Sequence, residues 1–545
     1  MKEIALFDQI KKAKQSVKAG NKVLFLYFFN LVVLSGYAQD VYERNEFADV
    51  RNYRFDLSLN DENDEIHGVA NILVDFKKEV DTFSLDLVSH TGLYGMKLTQ
   101  VLENTKKANY TYKNNRIYII PDLNDSLTSR YKIKYQGIPE KGLVIDTTKY
   151  GQRAFFGDNW PNLARHWLPC VDHPYDKASV EFHITAPEYY DVVATGKKTE
   201  ESNLGNGLKL TTYVEDAPVA VKVVTIGVAR FAHQILGNVG DTEVSTWVYP
   251  ENRLKGFSDF REAKDILEYF VNQIGPYSYS KLANIQAKTR WGGLENAGTI
   301  TYDEKLITGE QKNQELIAHE IAHQWFGNSV TENSWNHVWL SEGFATYFAV
   351  LYLEAVHGSG RRKQEMTKDR KEIFEYYLKN PSPIIDLSIK NPEKVLNINT
   401  YQKAGWMLHM LRHQLGDKLF WEGIRDYYTK YQNKNVMSSD FQKTMEQVSG
   451  KNLQEYFDQW LFIKGYPQLK WTWKYKKGKV RIAVKQKQKQ HTFKFPLEFG
   501  LTFGGQTEIH TIEIDENSEK FEIKVDAKPQ FVRIDPDGWL LFEEI

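Results

Sequence analysis

His319 and His323 stand four residues apart with Glu320 between them, in the run H-E-I-A-H. On an α-helix, residues at i and i+4 share a face, so both imidazoles can aim at one point. Eighteen residues then separate His323 from Glu342, enough to finish one helix, turn, and bring a second helix back alongside the first. Two imidazoles and a carboxylate leave a tetrahedral zinc ion with its fourth position open to water, the mark of a catalytic rather than a closed structural site. Leu316, Ile317, Ile321, Trp325 and Phe326 lay an apolar stripe around the motif, which predicts a buried helix. A structural polar network on that helix is the competing reading, but buried histidines and carboxylates need compensation of some kind, and a metal supplies it.

The chain that must position these residues has 545 amino acids, more than one hydrophobic core holds, so several domains are expected. Charged residues make up 26% and the net charge is −1. With no basic block in the sequence, nothing points to nucleic acid as a partner. Five lysines between Lys11 and Lys22 precede the apolar run Val23 to Leu34, and Ser35, Gly36 and Ala38 follow it. That order is expected of a secretory signal peptide, residues 1–38, cleaved after Ala38. The run is short for a membrane span, an uncleaved anchor being the alternative. The protein is therefore expected to be exported, periplasmic or extracellular, with no stable membrane association after cleavage. Residues 1–38 carry +4, leaving a mildly acidic −5 for the remainder. Cys170 is the only cysteine, so no intramolecular disulfide can form, and its setting L-P-C-V-D-H-P reads as a buried structural thiol.

From Tyr53 the pattern alternates, with Tyr53, Phe55, Leu57 and Leu59 on one face, and similar stretches recur to Val214 between Gly, Asn, Asp and Pro. Residues 39–247 are expected to be one β-domain. Helical periodicity then dominates residues 248–467: Phe260 to Ile274, the two helices carrying His319 and Glu342, and five more from Arg361 to Phe462. Tyr277 to Arg290 can return to a strand. Alternation resumes at Trp471, Trp473 and Tyr475, and Lys477-Gly478 turns the chain into Val480, Ile482 and Val484. Residues 468–545 are expected to form a small β-sandwich. The fold class is α+β, multidomain, with no internal repeat.

Ala164-Arg165, P-C-V-D-H-P, Lys177-Ala178, G-G-L-E-N-A-G, H-E-I-A-H-Q-W-F-G-N, W-L-S-E-G-F-A and Y-Q-K-A-G occur in that order. In order and spacing they resemble the gluzincin zinc aminopeptidases, the family of aminopeptidase N and the leukotriene-epoxide hydrolase. The resemblance implies a β-rich, saddle-like N-terminal domain, a thermolysin-like, mainly helical catalytic domain and a C-terminal β-sandwich. Many members add a large C-terminal helical domain, which is not expected in these 545 residues. It further implies one zinc ion per chain and, as partners, peptide substrates with a free N-terminus. Glu320 would be the general base and acid, and Tyr401 would donate to the tetrahedral oxyanion. Gly292, Gly293, Glu295 and Asn296 would form the substrate-binding segment. There the glycines admit an extended peptide, and Glu295 offers its carboxylate to the α-ammonium.

Two departures from the family pattern bear on the site. Where the best-known members carry a second amine anchor, this chain reads F-F-G-D-N-W-P-N; Asp158 is either a substitute carboxylate or part of a structural turn. Asn336-His337 replaces acidic residues between the zinc helices, and His337 reads as a supporting or surface group, since a fourth protein ligand would close the metal site. Epoxide hydrolysis at the same zinc and a non-catalytic peptide-binding scaffold are the alternatives in other functional classes.

Overall fold

The computed structural model describes residues 41–545, so the expected signal peptide lies outside the described residues. No helix among them is long and apolar enough to cross a membrane.

The alternating N-terminal segments pair into an eight-stranded sheet in which Ala48–Ser58 lies between Ala178–Pro187 and Ile66–Phe76. Ala48–Ser58 runs parallel to Ala178–Pro187, with Phe55 opposite Phe182, and antiparallel to Ile66–Phe76. Burial follows the two-residue period: in Thr128–Ile138 every second side chain is inside. A four-stranded and a three-stranded sheet complete this part, and Cys170 is buried within it.

A five-stranded mixed sheet comes next, in the order Ala232–Val239, Thr242–Val248, Lys281–Ala287, Thr299–Asp303, Gly293–Leu294. It crosses the boundary expected at 247/248, because Thr242–Val248 pairs in parallel with Lys281–Ala287. Such a pairing is not written locally. A strand's alternation does not reveal its partner, and a parallel partner lies beyond a crossover, here the two helices α1 (Arg253–Asp259) and α2 (Ala263–Gln273).

The helical body contains α3 (Gln314–Ala322), α4 (Trp339–His357), α5 (Ser359–Lys379), α6 (Ala404–Leu415), α7 (Asp417–Tyr431), α8 (Ser438–Ser449) and α9 (Gln454–Phe462). Its core is aromatic. Phe326, just past α3, meets Phe344 and Phe348 of α4 at ring separations of 4.6 and 4.9 Å, clamping the two helices together.

The last segment is a sandwich of a four-stranded and a three-stranded sheet, with Trp471 against Phe499 between them. Lys477 and Gly478 both have positive φ, 52° and 70°, as the two-residue hairpin turn requires. Trp539 ties this segment to the helices, stacking between His409 and His413 of α6. α+β with a β-rich N-terminal part, a helical middle and C-terminal sheets is thus the observed architecture.

Candidate active site

α3 presents His319 in its last turn, with His323 capping the helix end. The chain reverses through Gly327 and pairs Thr331–Glu332 with Asn435–Val436, so that Glu342 enters in the first turn of α4. The three donor atoms converge. His323 Nε2 lies 3.0 Å from His319 Nε2 and 3.2 Å from Glu342 Oε2, and His319 Nε2 lies 3.6 Å from that oxygen. Ligands about 2.0–2.1 Å from a tetrahedral zinc ion are about 3.3 Å apart, so the residues fit the metal. Among the described residues this is the one group of three metal-type donors. His323 Nδ1 faces the Phe326 carbonyl and Ser341 Oγ, each at 3.1 Å, which leaves Nε2 to present its lone pair to a metal.

Close backbone approaches bring the other groups in. Gly343 follows Glu342, and a Cβ there would stand 2.4 Å from the Ala404 Cβ, so only glycine lets α4 press against the start of α6. That start is a π-helical turn, Asn399–Lys403, braced by Asn397 and Thr400 and carrying Tyr401. The Tyr401 ring lies nearly parallel to that of His319, 6.0 Å away. On the opposite wall the edge strand Gly293–Leu294 runs antiparallel to Thr299–Asp303, and a Cβ on Gly293 would meet the Glu320 carboxylate.

Gly293, Glu295, His319, Glu320, His323, Glu342 and Tyr401 line one pocket, with Trp160, Trp291, Leu294 and Leu396 as its apolar walls. Glu295 is 4% exposed, and its Oε1 has no hydrogen-bond partner among the described residues. Three other residues proposed from sequence lie off this lining. Gly292 is exposed beside the edge strand, its carbonyl accepting from Asp303 N. Asn296 is turned inward and donates to Thr301 Oγ1 at 3.3 Å. Asp158 is buried and engaged with Thr289 Oγ1 at 3.0 Å, Arg290 N at 3.3 Å and the Arg290 guanidinium at 3.6 Å. His337 hydrogen-bonds Ser438 Oγ at 2.7 Å, away from the three donors.

The electrostatics call for cations. Burial pushes the Glu320 carboxyl well up, with Glu295 and Glu342 adding repulsion against an opposing His323. Burial likewise raises the Tyr401 phenol, helped by Glu342, Glu295 and Glu320, so it stays a neutral donor. Burial lowers His319. For His323 burial is outweighed by Glu342, which pushes it up to about 9, and for Glu342 burial is outweighed by the two histidines, which hold its carboxyl down. Three carboxylates around two imidazoles form a site for a divalent cation.

Sequence reasoning missed several participants. Ser341 orients His323; Gln324 and Asn328 donate to the Glu295 carbonyl; Trp160, Trp291 and Leu396 form the walls. Gln324 and Asn328 sit inside H-E-I-A-H-Q-W-F-G-N, but their residue types alone do not say what they hold.

A helix pair joined by a metal-binding triad beside a mixed sheet defines a zinc-metallopeptidase type of fold. Comparison with known proteins agrees. Residues 50–220 match the family model "Peptidase M1 N-terminal domain", and residues 259–460 match "Peptidase family M1 domain". Together they cover more than half of the chain, and the chain belongs to peptidase family M1. It is 27% identical over 394 residues to "Probable aminopeptidase 2" of Sulfurisphaera tokodaii, covering 68% of this chain and 49% of that one. To the human "Glutamyl aminopeptidase" it is 29% identical over 364 residues, covering 64% of this chain and 37% of that one. The chain thus spans about half or less of the length of these relatives. The crystal structure of an M1 zinc metallopeptidase from Deinococcus radiodurans superposes with a TM-score of 0.66 at 22% identity, covering 77% of this chain and 95% of that one, and so shares its fold.

Proposed function

We propose that the chain is an exported, zinc-dependent aminopeptidase that hydrolyses the first peptide bond of peptides with a free N-terminus. The observation that carries this reading is the partnerless, buried Glu295 oxygen in the same pocket as the His319, His323 and Glu342 donors. A zinc ion held by those three residues supplies Lewis-acid polarisation of the scissile carbonyl. The protein's own groups do the rest. Among the described residues the outer edge of Gly293–Leu294 has no strand partner, and it can pair with the backbone of an extended substrate. Glu295 receives the α-ammonium, which fixes the chain end and leaves one residue between anchor and reacting bond. Glu320 takes the attacking water's proton on its carboxylate and returns it to the leaving amine. Tyr401 donates its phenolic hydrogen to the developing oxyanion.

Export rests on the lysine-rich start, the apolar run from Val23 to Leu34 and the small residues after it. N-terminal sequencing of the mature protein should return Gln39 as its first residue; a chain that retains Met1 argues for an anchor. For the chemistry, Glu320→Ala should abolish hydrolysis of aminoacyl anilides while about one zinc per chain is retained, as for loss of a general base and not of a ligand. Full activity in that variant sinks the mechanism.

A further inference from the structure

The aminopeptidase reading requires a fixed distance between the group that holds the free amine and the group that meets the scissile carbonyl. Two amide side chains span that interval. Gln324 and Asn328 follow His323 by one and five residues and are fully buried, at 1% and 0% exposure. Gln324 Nε2 donates to the backbone carbonyl of Glu295 at 2.9 Å, and Asn328 Nδ2 donates to the same oxygen at 2.6 Å. Gln324 Oε1 accepts from Gly298 N at 2.9 Å, gripping the far side of the same turn.

This carbonyl lies one residue past the end of the edge-strand ladder, whose last register pair is Leu294 with Thr301. The two side chains therefore replace the ladder where it stops. Asn328 is itself pinned: its N–H donates to the His323 carbonyl at 3.1 Å, and its own carbonyl accepts from Lys177 Nζ at 3.0 Å. The amine anchor thus hangs from the segment that carries the metal ligand His323, through two short bonds that leave little slack.

We propose that Gln324 and Asn328 are positioning residues that set the cleavage register, holding Glu295 one residue's reach from the metal ligands. The proposal rests on the aminopeptidase reading, with Glu295 as the amine anchor. Loosening the clamp leaves the Glu295 carbonyl short of a donor and lets the anchor drift. Misplacement by about 1 Å costs on the order of 100-fold in a positioned reaction.

The test is a double-mutant cycle. Gln324→Leu is combined with Glu295→Ala, and kcat/KM is measured on leucyl anilide with zinc content and melting temperature recorded. Gln324→Leu alone should lower kcat/KM by about tenfold or more, mainly through KM, with zinc retained. In the Glu295→Ala background the same change should cost less than about twofold, because a residue that acts through Glu295 has nothing left to position. Asn328→Asp, which keeps shape and removes the donor, runs the same cycle if Gln324→Leu does not fold. Equal losses in both backgrounds, in an enzyme that still prefers a free amine to an acetylated one, overturn this proposal alone. A wild-type enzyme that cuts acetyl-leucyl anilide as fast as leucyl anilide removes the amine-anchor reading, and this proposal with it.

Discussion

Replacing Glu295 by Gln keeps the side chain's size and one acceptor oxygen while removing its charge. Glu295 is 4% exposed, so water does little to screen its interaction with a bound ammonium. Truncating one member of a buried, hydrogen-bonded charge pair costs about 2–5 kcal/mol. Because Gln retains an acceptor, the lower part of that range applies, about 2–3 kcal/mol, or about 30- to 150-fold in kcat/KM. Leucine p-nitroanilide and its N-acetyl derivative form the assay pair. The loss should fall on the free-amine substrate and mainly on KM, while the low rate on the acetylated one stays within about twofold. The pH profile adds a second signature. A substrate α-amine titrates near pH 8, so wild-type kcat/KM should fall above that pH, as the charge Glu295 reads is lost, and the decline should flatten in the Gln variant. Equal losses on both substrates would show that Glu295 shapes the pocket rather than reading the amine, and the exopeptidase assignment would lose its support.

The walls of the pocket carry a second expectation. Beyond the groups assigned above, its lining is Trp160, Trp291, Leu294 and Leu396, so leucyl and phenylalanyl anilides should exceed glutamyl anilide by more than about tenfold, and Trp291→Ala should narrow that ratio; a wild-type preference for glutamyl refutes it. Lys222 and Glu332 form a buried pair at 2.6 Å, with the Lys222 ammonium near the rings of Trp160 and Trp335. Lys222→Met removes the hydrogen-bonded cation from Glu332 and should destabilise by about 3–5 kcal/mol, while Lys222→Met/Glu332→Met recovers most of the loss, read as melting temperatures. Asp176 supplies a pH test: burial, with repulsion from Asp49, pushes its carboxyl up to about 8. Folding therefore binds a proton between about pH 4 and 8, and stability is lost as pH rises through that window. Asp176→Asn removes this dependence, so its melting temperature relative to wild type should rise from pH 5 to pH 8.5; a constant difference refutes the assignment.

What was legible in the sequence was whatever is written locally. The i, i+4 spacing of His319 and His323 specifies a face of one helix, and the Lys477-Gly478 turn specifies a hairpin. Strand Ala48–Ser58 falls where the alternation of Tyr53, Phe55 and Leu57 places it. The parts that escaped are those whose meaning lies in a distant partner. Gly293–Leu294 is too short to show a period, and it is a strand only because Thr299–Asp303 lies beside it. Asp158 stays open between a substrate carboxylate and a structural turn until the fold sets Thr289 and Arg290, more than 130 residues away, against it.

Gln324 and Asn328 are the sharpest instance. Each reaches a carbonyl 29 or 33 residues earlier, through a side chain whose type in a buried helix end reads as ordinary polar packing. Motif residues carry chemistry that their types disclose: imidazole for metal, carboxylate for ammonium, phenol for oxyanion. The distances between motifs are carried instead by amide-to-backbone bonds, which use the same few residue types wherever they occur. A hydrolase can be read from the first set alone. On the proposed reading, whether it removes one residue or cuts within a chain depends on the second, because Glu295 would select an N-terminus only if Gln324 and Asn328 hold it at the right reach from His323.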